Sequence, residues 1–159
     1  MTAPIPRLVL MCGLPGSGKT PEGRRLAETL GAVRLSPDEW LAGLGIDLWD
    51  EAARERLERV LWDLAQELLR LGQSVILESG FWLRSDRDEK RTGARAVGAA
   101  VELRYLDVPL DELSRRLASR VEGEVGAAKI SRSDLERFAA SFQPPDVVEL
   151  ALFDPPIVT

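Results

Sequence analysis

The sequence predicts a three-layer α/β domain, with a mostly parallel sheet of about five strands and helices on both faces. Three observations predict it. Short apolar runs rich in Val, Ile and Leu alternate with longer runs of helical period, and strands separated by helices pair in parallel through right-handed crossovers. The first apolar run passes directly into a glycine-rich turn that opens a helix. The chain has 159 residues, 45% hydrophobic and 30% charged, the length and balance of one globular unit, so residues 1–159 are expected to form a single domain.

Each element follows from its own pattern. Residues 8–12, Leu-Val-Leu-Met-Cys, form an uninterrupted apolar run, the mark of a parallel strand buried on both faces. Residues 21–30 turn helical, with Pro21 in the first turn and Gly31 at the C-cap. Residues 32–35 read as a weak second strand. Ser36-Pro37-Asp38-Glu39 reads as a capping box, with Ser36 as N-cap and Glu39 three residues on, and starts a short helix. Over 50–71, Ala53, Leu57, Val60, Leu61, Leu64, Leu68 and Leu71 recur at three and four residues and predict a core-facing helix that Gly72 stops. A third strand is predicted at 74–78, a helix at 85–97, a fourth strand at 101–108 and a helix at 110–121. The aperiodic stretch near 121–131 is expected to be a lid-like loop. A helix at 133–142, the breaker Pro144-Pro145 and an edge strand in the tail complete the prediction.

Composition narrows the chemistry. Histidine is absent, which excludes a Ser-His-Asp triad, an H-E-x-x-H zinc site and any imidazole proton shuttle. Asparagine is absent too, and with it the Asn-Lys-x-Asp element that reads guanine. The single cysteine, Cys12, forbids an intramolecular disulfide and is expected to be a small buried residue at a strand end. A formal charge of −5 disfavours a broad surface for polyanions. The seven residues before the first apolar run are too few for a signal peptide, and no apolar stretch approaches the roughly 18 residues of a membrane span. A cytoplasmic protein without a membrane partner is expected.

Gly13-Leu14-Pro15-Gly16-Ser17-Gly18-Lys19-Thr20 matches G-x-x-x-x-G-K-[S/T] in full and lies where the chemistry needs it, between a buried strand and a helix. Glycines allow successive N–H groups to turn inward around a β-phosphate, the helix N-terminus adds positive potential, Lys19 reaches the β/γ oxygens and the Thr20 hydroxyl can ligate Mg²⁺. ATP and Mg²⁺ are the expected cofactors. Glu78 ends the third apolar run, where an acidic residue can hold the metal or its water, although a carboxylate also marks a strand emerging into solvent.

From Leu8 to about Pro145 the chain resembles the small P-loop kinases of the zeta-toxin and predicted-kinase type, related to polynucleotide 5′-hydroxyl kinase domains and chloramphenicol phosphotransferase. The resemblance implies a P-loop fold with strand order 2-3-1-4-5. It implies that Asp38, in the Ser36-Pro37-Asp38 segment after the second strand, is the general base for an acceptor hydroxyl. It also implies lid arginines at the end of the helix near 110–121, where Arg120 matches best and Arg116 lies one turn earlier. Physical alternatives stand beside these roles: Asp38 in a first helical turn and Arg120 at a helix C-terminus are both favoured by the helix dipole alone.

Around this centre, Ser36, Trp40, Ser79, Trp82, Arg84 and Arg87 are candidate acceptor contacts. Trp40 and Trp82 could wall a pocket or simply pack. Arg84, Arg87, Arg91 and Arg95 share one helix face, either a solvated salt-bridged face or a contact for phosphates. The function expected is an ATP- and Mg²⁺-dependent kinase acting on a hydroxyl of a small molecule or a polynucleotide 5′ end, with nucleic acid less favoured. The alternatives are a nucleoside monophosphate kinase and a P-loop ATPase acting as a switch.

Overall fold

The computed structural model describes residues 4–120 and 129–157. In chain order the elements are β1 (Arg7–Cys12), α1 (Lys19–Leu30), β2 (Val33–Leu35), α2 (Pro37–Gly43), α3 (Glu51–Arg70), β3 (Val75–Gly80), α4 (Arg84–Ala96), β4 (Ala100–Tyr105), α5 (Leu110–Ala118), α6 (Arg132–Ser141) and α7 (Val147–Leu150). Every residue of β1 after Arg7 is buried, because β1 lies between β3 and β4 and is parallel to both. Leu8 faces Val75 on one side and Val101 on the other. Side chains alternate across the strand. Leu8, Leu10 and Cys12 join Leu61, Ala65 and Leu69 of α3 on one face of the sheet, while Val9 and Met11 join Leu26 of α1 on the other.

The sheet has four strands among the described residues, in the order β2-β3-β1-β4. The neighbours match the expected order, but the fifth strand is a correction. The tail instead forms a helical turn, α7, capped by Asp146, whose carboxylate accepts from the Glu149 N–H at 2.8 Å. It meets the edge strand β4 at Asp154, whose N–H donates to the Val101 carbonyl and whose carboxylate accepts from the Val101 N–H, both at 2.8 Å. Pro155 and Pro156 follow at once, and without N–H groups they cannot extend a ladder.

Two members of the expected stripe on α3 are also corrected. Val60 and Leu71 are 58% and 84% exposed, and the inward positions are Ala53, Leu61, Ala65 and Leu69. Val60 directly precedes the buried Leu61 and so points about 100° away around the helix, while Leu71 is the C-cap, past the last helical turn that packs on the sheet. The lid expected near 121–131 falls mainly on 121–128, outside the described residues. No described helix is long and apolar enough to cross a membrane.

Candidate active site

The glycine-rich turn leaves β1 at its C-terminal end, where Gly13 N–H donates to the Gly80 carbonyl of β3 at 3.0 Å. Gly16 and Gly18 have φ of 85° and 98°, left-handed values that favour glycine. A Cβ on Gly16 would also stand 3.2 Å from Leu117 of α5. The loop is thus wrapped between sheet and α5. Lys19, the first residue of α1, folds back and donates to the carbonyls of Gly13 at 3.0 Å and Leu14 at 2.9 Å. Burial pulls its pKa down to about 8, against the opposing pull of Asp38 and Glu78. From α5, Arg116 donates to the loop carbonyls of Gly16 at 3.3 Å and Ser17 at 3.4 Å, and is itself held by Glu112 at 3.0 Å. Arg120 lines the cleft just beyond that helix.

Beside the loop stands Glu78, buried near the end of β3. Thr20 Oγ1 donates to its Oε2 at 3.1 Å and Arg34 donates to its Oε1 at 2.8 Å. The β2–β3 register sets Arg34 opposite Ile76, which puts Glu78 two residues further along on the same face. Arg34 also holds Glu39 of α2. A Cβ at position 23 would lie 2.2 Å from the Glu78 carboxylate, so Gly23 is what allows α1 to pass over the acid. Burial raises the Glu78 pKa despite Arg34. No group of three His, Cys, Asp or Glu able to hold a metal exists among the described residues. Magnesium needs only one or two protein oxygens when phosphates and water supply the rest, and the Thr20 hydroxyl with Glu78 behind it fits that demand.

A cleft of about 770 Å³ opens from the P-loop toward α2, α3 and α4. Asp38 lines it. The cap of α2 is made by Ser36, whose Oγ accepts from Glu39 N–H, which leaves the Asp38 carboxylate for the cleft. Arg54 of α3 binds Asp38 Oδ1 at 2.7 Å and is anchored by the Leu48 carbonyl at 3.1 Å. Ser79 and Trp82 line the same cleft. Trp82 Nε1 donates to the Gly13 carbonyl at 3.3 Å, and its ring packs on Phe138 with centroids 5.1 Å apart.

Three expected acceptor contacts lie elsewhere. Trp40 is absent from the cleft lining and 40% exposed, because a residue two positions after Asp38 points to another face of a helix. Arg84 binds Asp88 at 3.3 Å and stays off the cleft. Arg87 is 1% exposed and makes a paired contact with Glu149 of α7 at 2.6 and 2.8 Å. The arginine stripe does share one face, but the tail covers it: Arg95 binds Asp154 at 2.6 Å and Arg91 sits over the Phe153 ring.

Arg87 also donates to the Phe81 carbonyl at 2.8 Å. Phe81 has φ of 49°, a strained value for a residue with a side chain, and this hydrogen bond holds the corner that presents Trp82. Cys12 donates its thiol to the same carbonyl at 3.5 Å; burial pushes its pKa up to about 12, so it is no nucleophile. Sequence reasoning missed Arg34 and Arg54, which only their partners Glu78 and Asp38 single out from the many other charges on their elements, and Glu58 of α3, which only its place in the cleft lining singles out.

The AAA domain model matches residues 8–145. The chain belongs to that family. An adenylate kinase from Thermus thermophilus is 33% identical over 133 residues, covering 76% of this chain and 69% of the relative. Among solved structures, a chain of the Pnkp1/Rnl/Hen1 RNA repair complex superposes with a TM-score of 0.73 at 26% identity over 88% of this chain. This chain spans only 45% of that one. An APS kinase from Mycobacterium tuberculosis in complex with AMPPNP and APS superposes with a TM-score of 0.59 at 28% identity, covering 73% of this chain and 70% of that chain. This AAA domain is therefore a kinase-type P-loop domain with a nucleotide-binding loop.

Proposed function

We propose that this domain transfers the γ-phosphoryl group of ATP, in the presence of Mg²⁺, to a hydroxyl group. The observation that carries the reading is the disposition of Asp38: its carboxylate shares a cleft with Lys19 and Thr20, while Ser36 caps its helix.

In this reading Lys19 leaves the carbonyls of Gly13 and Leu14 for the β/γ oxygens, and the loop amides from Gly13 to Thr20 hold the β-phosphate at the N-terminus of α1. Arg54 fixes Asp38 through Oδ1 and leaves Oδ2 facing the acceptor. Asp38 takes the hydroxyl proton as the new O–P bond forms and the bond from the γ-phosphorus to the bridging oxygen breaks, releasing ADP. Thr20 would ligate Mg²⁺ with Glu78 in support, and the ion when bound neutralises charge between the β- and γ-phosphates. Arg120 adds positive charge at the cleft, Arg116 braces the loop, and Ser79 and Trp82 meet the acceptor.

The test is transfer of labelled γ-phosphate to three pools: hydroxyl-bearing small molecules, 5′-hydroxyl oligonucleotides and nucleoside monophosphates. Label on a hydroxyl supports the reading. Label in the monophosphate pool alone replaces it with a nucleoside monophosphate kinase, the second reading, which the similarity to an adenylate kinase favours. Free phosphate alone, released at one rate with every pool, points to a switch ATPase.

A further inference from the structure

The far arm of the cleft, between α3 and α4, has a charge pattern of its own. Its basic side chains are all engaged: Arg54 with Asp38 at 2.7 Å, Arg59 with Glu55 at 3.3 Å and Lys90 with Glu89 at 2.9 Å. Glu58 of α3 and Asp86 of α4 also line it, and neither side chain makes a hydrogen bond or ion pair among the described residues. Asp86 stands in the first turn of α4, where the dipole favours an acid. Glu58 is in the middle of α3 and has no such support.

The walls carry the same preference. Trp49, Trp62, Trp82 and Phe138 line the cleft. The Trp62 ring already accepts one ammonium, that of Lys90, at 5.4 Å from its centroid. Aromatic faces beside carboxylates that make no ion pair among the described residues attract a desolvated cation, once those carboxylates are ionised, and repel an anion.

We infer that the acceptor arm takes a small cationic alcohol, a molecule carrying an ammonium group near the hydroxyl to be phosphorylated, and not a polyanion. The inference rests on reading this cleft as the acceptor side of a hydroxyl kinase. Glu58 and Asp86 bind the ammonium, the aromatic rings enclose it, and the hydroxyl lies toward Asp38. Glu58 is faced by Arg54 from its own helix, by Asp86 and Lys90 from α4 and by Asp38 from α2; burial raises its pKa to about 7. Binding of a permanent cation therefore strengthens as the pH rises through 7.

The experiment uses two matched probe pairs, followed by tryptophan fluorescence at pH 8 on the full chain. The pairs are choline against its neutral isostere 3,3-dimethylbutan-1-ol, and kanamycin against its fully N-acetylated form. A 5′-hydroxyl oligonucleotide is the polyanionic probe. The expected result is binding of at least one cationic member about tenfold tighter than its neutral partner. In Glu58→Gln/Asp86→Asn that preference falls to within about twofold.

A fluorescent ATP analogue reports in the same samples whether each variant is folded. If neither cationic probe beats its partner, if the oligonucleotide binds as tightly, or if the preference survives the double substitution, the inference is overturned. Transfer of phosphate is read separately: neutral alcohols phosphorylated without preference remove the cation and leave the kinase. A cationic preference without transfer removes the kinase and leaves the cation site.

Discussion

Lys19 is where one residue carries most of the nucleotide chemistry. Its ammonium rests on two loop carbonyls with a pKa drawn down to about 8 by burial. A triphosphate stabilises the charged form, so ATP binding at pH 8.5 takes up a proton, and affinity falls as the pH rises above 8. Calorimetry in buffers of different ionisation enthalpy checks this; binding with no net proton uptake contradicts it. Lys19→Met removes the charge altogether, and the expected outcome is loss of phosphate transfer with an unchanged thermal transition. The residues from Gly13 to Thr20 were legible in the sequence because their spacing is local. Arg54 and Arg34 were not, because a salt bridge to Asp38 or across β2–β3 to Glu78 leaves no periodic trace.

At the scale of elements, α4 and the tail explain each other. The arginines at 84, 87, 91 and 95 were legible as one face, but what covers that face was not. The signal was the matching acids Glu149 and Asp154 in the tail, far away in sequence. Arg87 and Glu149 are both buried, and removing one partner of a buried pair leaves an uncompensated charge at a cost of about 3–5 kcal/mol. Arg87→Met alone is therefore expected to destabilise the domain by about that amount, and Arg87→Met/Glu149→Leu to recover most of it. Urea denaturation reads both. A double variant no more stable than the single one contradicts the account.

For the whole molecule, the alternation of strands and helices made the parallel sheet legible, and β1 at its centre was the most apolar run in the chain. The tail was misread as a strand because its short apolar residues lack a clear period; Asp146 at the cap and the paired prolines decide its shape. Global stability carries the imprint of the cleft. Glu58 is held near 7 instead of its ordinary value of 4.5, so its neutral form contributes stability that is fully present below pH 4.5 and lost as the pH rises through 7. Glu58→Gln stays neutral, and its gain in Tm over the wild type is expected to grow from near zero at pH 4.5 to a plateau above pH 7; a difference independent of pH contradicts this.

The central claim, that the cleft activates a hydroxyl through Asp38, is tested most directly by the rate of Asp38→Asn at saturating ATP and acceptor. A fall of about 10²- to 10⁴-fold with ATP affinity retained is expected. An unchanged rate would leave Asp38 as nothing more than a partner for Arg54.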